Sequence, residues 1–290
     1  MEIYKKIRFV LIYTLILNAL VALLKIVFGF ASGSLAMIAV GFDSMFDGIS
    51  NVIGLVGIYV AFLPPDVEHP YGHKKFETLF AIGISVLLFV TCYEIVESAI
   101  HRFFAKAVPD ITWITFVVML ITIAIHIYVA IYEYQKGKKL KSDFLVADSM
   151  HTRADVFVSL SVVAGFGVIK MGYPWIDPLI ALGIAILIAK IGIDIIRSGS
   201  RVLVDGIILD AERIEKLALS IPGVKTCHRI RSRGREDHIH LDLHLEVDPK
   251  ITVDKAHDIA HGVEEKILKE LEDVKDVVIH IEPKTPSRNL

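Results

Sequence analysis

A chain of 290 residues with mean hydropathy +0.58 and 54% hydrophobic residues is too apolar for an ordinary soluble protein of its length. The net charge of −2, with no basic stripe interleaved with aromatics, gives no sign of a nucleic-acid partner. Two cysteines, Cys92 in an apolar run and Cys227 in the polar tail, do not make a disulfide framework and fit a tail facing a reducing compartment.

The N-terminus starts basic, with Lys5, Lys6 and Arg8, and runs on apolar from Phe9 to Phe30. That run is too long for the core of a signal peptide and no A-x-A site follows it, so it reads as a first membrane helix. A spanning helix needs about 20 apolar residues, and six stretches meet this: 8–30, 35–62, 77–100, 111–134, 144–169 and 176–198. Their separators are a Ser32-Gly33-Ser34 turn, a Pro64-Pro65 stop with a polar loop to Lys75, a His101 to Asp110 segment, a basic Lys136 to Lys141 loop and a Gly172-Tyr173-Pro174 turn. Lys and Arg in the short loops fall eleven on one side and three on the other, which puts both termini in the cytoplasm of a multi-pass protein of the cell's inner or plasma membrane.

From about residue 207 the chain becomes charge-rich. The expected organisation is a six-helix transmembrane domain over 1–205 and a cytoplasmic domain over 206–290. Asp210 caps a predicted helix to Ser220, and Pro222-Gly223 ends it. Val224 to Arg233 reads as a strand. Ile239, Leu241, Leu243, Leu245 and Val247 alternate with His240, Asp242, His244 and Glu246, which predicts a half-buried strand. An amphipathic helix from Val253 to Leu271 and a strand from Val274 to Ile281 complete an αββαβ order, a small α+β sandwich of ferredoxin-like type with its helices on one sheet face.

Three constellations carry chemistry. Asp43-x-x-x-Asp47 and His151-x-x-x-Asp155 stand inside spanning stretches, where ionisable groups are costly and mark function. A step of four puts each pair on one helix face. Three carboxylates and one imidazole converging between two helices make a four-ligand pocket for a divalent cation, suited to Zn²⁺, with Fe²⁺, Mn²⁺, Co²⁺ and Cd²⁺ also compatible. Arg153 in the same helix is expected at the cytoplasmic mouth or paired with a carboxylate. The loop after the second helix holds Asp66, His69 and His73, which can clasp one zinc. The tail holds seven of the twelve histidines; His240 and His244 share a strand face, His257 and His261 lie one helical turn apart, and His280 and Glu282 share a strand face.

Together these residues resemble the cation diffusion facilitators, divalent metal cation/proton antiporters. The resemblance covers almost the whole chain. It rests on Asp43-Ser-Met-Phe-Asp47, His151-Thr-Arg-Ala-Asp155, His69-Pro-Tyr-Gly-His73-Lys-Lys-Phe-Glu77, the Cys227 to Arg233 strand and the Val-Val-Ile-His280-Ile-Glu282-Pro ending. It implies a homodimer, a transport site of Asp43, Asp47, His151 and Asp155, and a loop site of Asp66, His69 and His73. It also implies a cytoplasmic site of His228, His244, His280 and Glu282, with His257 near the dimer contact. Glu282 stands where the family often has Asp. A Lys–Asp interlock at the dimer interface maps onto Lys75 and Asp205.

The function this predicts is efflux of a divalent cation, Zn²⁺ first, by exchange for protons. Fe²⁺ or Mn²⁺ efflux through the same site is the alternative, and a membrane-anchored sensor without transport is a further one. An intramembrane zinc enzyme is disfavoured: no His-Glu-x-x-His occurs, and four protein ligands leave no open position for an activated water.

Overall fold

The computed structural model describes residues 2–32, 35–105, 113–173 and 175–284. The chain forms two compact units, Met1–Gly199 and Ser200–Leu290.

The first unit is helical. Its elements are α1 (Glu2–Ser32), α2 (Leu35–Ala61), α3 (Lys75–Ala105), α4 (Trp113–Leu140), α5 (Asp143–Lys170) and α6 (Ile176–Leu203), the last running into the second unit. Among the described residues, four segments, in α1, α3, α4 and α6, are long and apolar enough to cross a membrane, while α2 and α5 carry the two four-residue polar steps. The common core is apolar, built on Ile7, Leu11, Ile58, Leu88, Phe144 and Ile188. Large side chains such as Phe9, Ile16, Val86, Tyr93 and Ile186 point outward, as lipid-facing surfaces require.

Two separators differ from expectation. His101 lies within α3, which continues to Ala105, and residues 106–112 fall outside the described part. The basic segment 136–141 is not a loop: α4 continues to Leu140, because lysines are good helix formers and favour the negative end of the helix dipole. The chain reverses over Lys141 and Ser142: Lys141 adopts φ 51°, and the Ser142 N–H closes back on the Gly137 carbonyl at 2.9 Å. Ser142 Oγ then accepts the Leu145 N–H at 3.3 Å and starts α5. This tight α4–α5 hairpin needs a small residue at Gly137, where a Cβ would lie 2.9 Å from the Val146 backbone nitrogen. The expected turns at Gly33-Ser34 and at Pro174 lie on residues outside the described part.

The second unit holds α7 (Ala211–Leu219), β1 (Thr226–Arg235), β2 (His238–Val247), α8 (Val253–Glu270) and β3 (Val274–Pro283). The αββαβ order matches the expectation. Asp210 Oδ1 accepts the Glu212 N–H to cap α7, and Thr252 caps α8. The sheet order is β1-β2-β3, antiparallel between β1 and β2 and parallel between β2 and β3. Ile239, Leu241, Leu243, Leu245 and Val247 are buried under Ile214 and Ala218 of α7 and Ala256, Ala260, Val263 and Ile267 of α8. Both helices therefore cover one sheet face and leave the polar face, with His240 and His244, open. Cys227 sits in this core as a free thiol, pushed up to about 11 by burial, which makes it inert.

Candidate metal centres

The open sheet face gathers ligands by register. His228 on β1 pairs with His244 on β2, and His244 pairs with His280 on β3, so the three imidazoles lie in one row across the strands. His228 reaches this face through a bulge between His228 and Arg231, where Arg229 takes φ 48°. The extra residue puts His228 and Arg231 on the same side despite their odd spacing. Glu282 lies next along β3 on the same face and reaches all three rings. Its carboxylate is 2.8 Å from His244 Nδ1, 3.3 Å from His228 Nε2 and 3.6 Å from His280 Nε2. One ligand atom each from His228, His244 and Glu282 falls within a 4.8 Å span, a spacing that suits a single cation. Two imidazoles and a carboxylate are a donor set suited to zinc.

The hydrogen bond from His244, followed by the charges of His244, His228 and His280, holds the Glu282 carboxyl below the usual carboxylate range. Lowered in the fold, this group favours the folded tail at neutral pH, and its contribution is lost only as pH falls through its depressed value. At neutral pH Glu282 is therefore already ionised, the state in which a carboxylate can take up a cation. Glu282→Ala is expected to weaken zinc binding at the tail by about 10- to 100-fold; competition titration on the full-length protein measures it.

His257 is not brought to this group within one chain. It lies exposed on α8, beside His261, with ring centroids 6.1 Å apart, and α8 packs on the opposite face of the sheet. His261 faces Glu264 and Glu265 of its own helix. His240 pairs with Asp276 across β3 at 3.6 Å and stacks edge-on with His238.

In the first unit, the loop between α2 and α3 folds around Asp66. Its Oδ1 accepts the backbone N–H groups of His69 at 2.7 Å and Glu68 at 3.0 Å, forming an Asx turn, and Gly72 provides the φ of 83° that returns the chain to α3. Asp66 Oδ1 lies 3.4 Å from His69 Nδ1, and Oδ2 lies 3.3 Å from His73 Nε2. The two imidazoles are 4.4 Å apart, and His73 is buried. This trio also fits within a 4.8 Å span. The hydrogen bond from the His69 backbone keeps the Asp66 carboxyl below its ordinary range, so it is ionised at neutral pH. Behind the loop, Glu77 accepts a hydrogen bond from Ser142 Oγ and Asp143 one from Thr78 Oγ1, each at 2.6 Å, tying the start of α3 to the start of α5.

The intramembrane steps lie on α2 and α5 as expected, but the Asp43 and Asp47 side chains are outside the described part. On α5, His151 is buried and its Nδ1 has no hydrogen-bond partner among the described residues. Asp155 follows one turn on. Two residues join this region that sequence reading missed: Lys25 of α1 and His126 of α4. The Lys25 charge acts on both Asp155 and His126, and His151 also acts on His126. Lys25 Nζ donates to Ser44 Oγ of α2 at 2.7 Å. Neither has a second ionisable residue four positions away on its own helix, so the only available signal was its cost at that depth. Arg153 is not paired with a carboxylate among the described residues; its guanidinium lies 4.4 Å over the Tyr134 ring. Lys75 opens α3, and Asp205 follows α6 with φ 57°.

Comparison with known proteins identifies the architecture. The cation efflux transmembrane domain family matches residues 11–204, and the cation efflux protein cytoplasmic domain family matches residues 209–284. The chain is 34% identical over 274 residues to the uncharacterized transporter MJ0449 of Methanocaldococcus jannaschii, covering 94% of this chain and 96% of that protein. It is 30% identical over 270 residues to the manganese efflux system protein MneS of Bacillus subtilis, covering 90% of each. Among solved structures, a variant of the MamM-CTD is 26% identical and covers 26% of this chain and 92% of that one, with a TM-score of 0.25. With both domain families matched in order over most of its length, the chain belongs to the cation diffusion facilitators, multi-pass membrane transporters that carry out efflux of divalent metal cations.

Proposed function

We propose that this transporter moves a divalent cation, Zn²⁺ first, out of the cytoplasm in exchange for protons. Asp43, Asp47, His151 and Asp155 form the transport site. The observation that carries this reading is His151: a buried imidazole whose Nδ1 has no partner among the described residues, on the helix that also carries Asp155. A metal can bind only a neutral imidazole and ionised carboxylates, so loading displaces protons and acid on the far side drives release. Rocking of the helices exposes the site alternately to each side.

In this reading all six long helices span the inner or plasma membrane and both termini are cytoplasmic, supported by the bias of Lys and Arg among the loops. The loop trio Asp66, His69 and His73 and the tail group His228, His244, His280 and Glu282 bind further metal on the cytoplasmic side. The tail group acts as a sensor, in a homodimer where the partner brings His257 near and where Lys75 and Asp205 interlock. The second metal reading is Mn²⁺, favoured by the manganese efflux system protein among the relatives and by the carboxylate-rich pocket.

The test is uptake of radioactive zinc and manganese into inverted proteoliposomes with an acidic lumen. Proton-driven accumulation of zinc ahead of manganese is expected. Equal accumulation with and without the pH gradient would overturn antiport, and manganese ahead of zinc would favour the second reading.

A further inference from the structure

A second buried polar group lies in the membrane helices, apart from the expected metal ligands. Glu133 of α4 is fully buried, and Asp148 of α5 is 1% exposed. Around them stand Thr14 of α1, Asn51 of α2 and Thr152 of α5, all buried. A donor inventory shows what Glu133 lacks. Asn51 Nδ2 has two hydrogens, and they go to Asp148 Oδ2 at 2.9 Å and Thr14 Oγ1 at 3.2 Å. The Thr14 hydroxyl donates to its own helix, at the Val10 and Leu11 carbonyls. Thr152 has one hydroxyl hydrogen, shared between Glu133 Oε2 at 3.4 Å and the Asp148 carbonyl at 3.2 Å. Thr14 and Asn51 also come within hydrogen-bonding reach of Glu133, but their hydrogens are placed on other acceptors, that of Thr152 is shared, and Glu133 Oε1 has no partner among the described residues. An ionised carboxylate so deep needs several donors or a cation.

Among the described residues, the facing groups supply no cation. From α5 Glu133 feels the like charge of Asp148, and from α1 and α2 it meets neutral Thr14 and Asn51. Lys25 on α1 lies against Ser44, Arg153 on α5 lies over Tyr134, Lys136 on α4 lies over Tyr132, and the His126 ring is in the field of Lys25 and His151. Two neighbouring carboxylates in such surroundings cannot both ionise.

We propose that Glu133, with Asp148, is a proton-binding site separate from the metal pocket, loaded when that pocket is empty and discharged when metal enters. The link is α5. Asp148 stands two turns before Asp155 on one helix face, and its charge acts on both Asp155 and Glu133. Thr152, which touches Glu133, lies between His151 and Asp155 in sequence. A dication beside Asp155 favours a second negative charge nearby: the O–H bond of Glu133 breaks, its proton leaves to water, and the carboxylate remains. Metal release reverses this. The inference rests on the antiport reading and adds one coupled proton to it.

The test uses full-length protein in weak buffer, counting protons released per zinc bound, followed by proton-driven zinc accumulation in proteoliposomes. Glu133→Gln is expected to bind zinc at the wild-type stoichiometry, to release about one proton fewer per zinc, and to lower the accumulation ratio about tenfold per pH unit of gradient. Glu133→Asp, which restores a carboxyl, is expected to regain both. Wild-type proton release in Glu133→Gln would overturn the proposal, and so would loss of its zinc binding. If the wild-type protein itself released no proton on binding zinc, the antiport reading would fall first, and this site with it.

Discussion

Asp155→Ala is expected to lower zinc flux in proteoliposomes by at least about 100-fold, with the protein still folded and eluting as the wild type does in size-exclusion chromatography. The carboxylate is one of four proposed ligands on helices that must hold a dication without water. Removing it leaves an incomplete shell, and disturbing even supporting groups of a metal site costs about 10- to 100-fold. Asp155 lies near Lys25, so its loss also leaves that buried ammonium with less compensating charge. Flux within a factor of two of wild type would mean that the step His151-x-x-x-Asp155 packs helices and carries no metal. Asp47→Ala on α2 is expected to give the same loss, because the proposed pocket needs both helices.

His151→Asp is expected to reverse metal choice. The proposed pocket offers three carboxylates and one imidazole, and in that reading the single nitrogen biases it toward Zn²⁺. An all-oxygen pocket favours the harder Mn²⁺. The ratio of zinc to manganese transport should therefore fall by about tenfold or more, since each replaced ligand shifts binding on the scale of a few kcal/mol. The measurement is competitive uptake of the two metals from one mixture. An unchanged ratio would assign selectivity elsewhere, with His126 the next residue to replace.

Much of this was legible in the sequence for physical reasons. The steps Asp43 to Asp47 and His151 to Asp155 stand out because charge is costly in a greasy helix, and their spacing fixes a shared face. The tail declared its order through the strict alternation from Ile239 to Val247 and the caps at Asp210 and Thr252. Other features depend on tertiary structure. The segment Lys136 to Leu140 reads as a loop by charge, yet it is the last turn of α4. His228 joins the row with His244 and His280 only because a bulge at Arg229 changes which way it faces. Glu282 stands where the family often has Asp, and its longer arm is what touches three imidazoles. Lys25, His126 and Glu133 have no ionisable residue four positions away on their own helices. Their grouping with α5 follows from how α1, α2 and α4 pack around it, which no local pattern encodes. Arg153 turns to the Tyr134 face, a contact between neighbouring helices that sequence spacing does not reveal.

The claim at the centre of this account is that Asp43, Asp47, His151 and Asp155 hold the transported metal. Zinc X-ray absorption on full-length protein tests it most directly, with His69, His73, His244 and His280 replaced so that the loop and tail groups are silent. The account predicts one tightly bound zinc per chain with a single imidazole and an otherwise oxygen shell. The imidazole signal should vanish in His151→Asp, and the zinc itself should be lost in Asp155→Ala. A protein that retains no zinc after the loop and tail replacements, or whose spectrum is unchanged by Asp155→Ala, would contradict it.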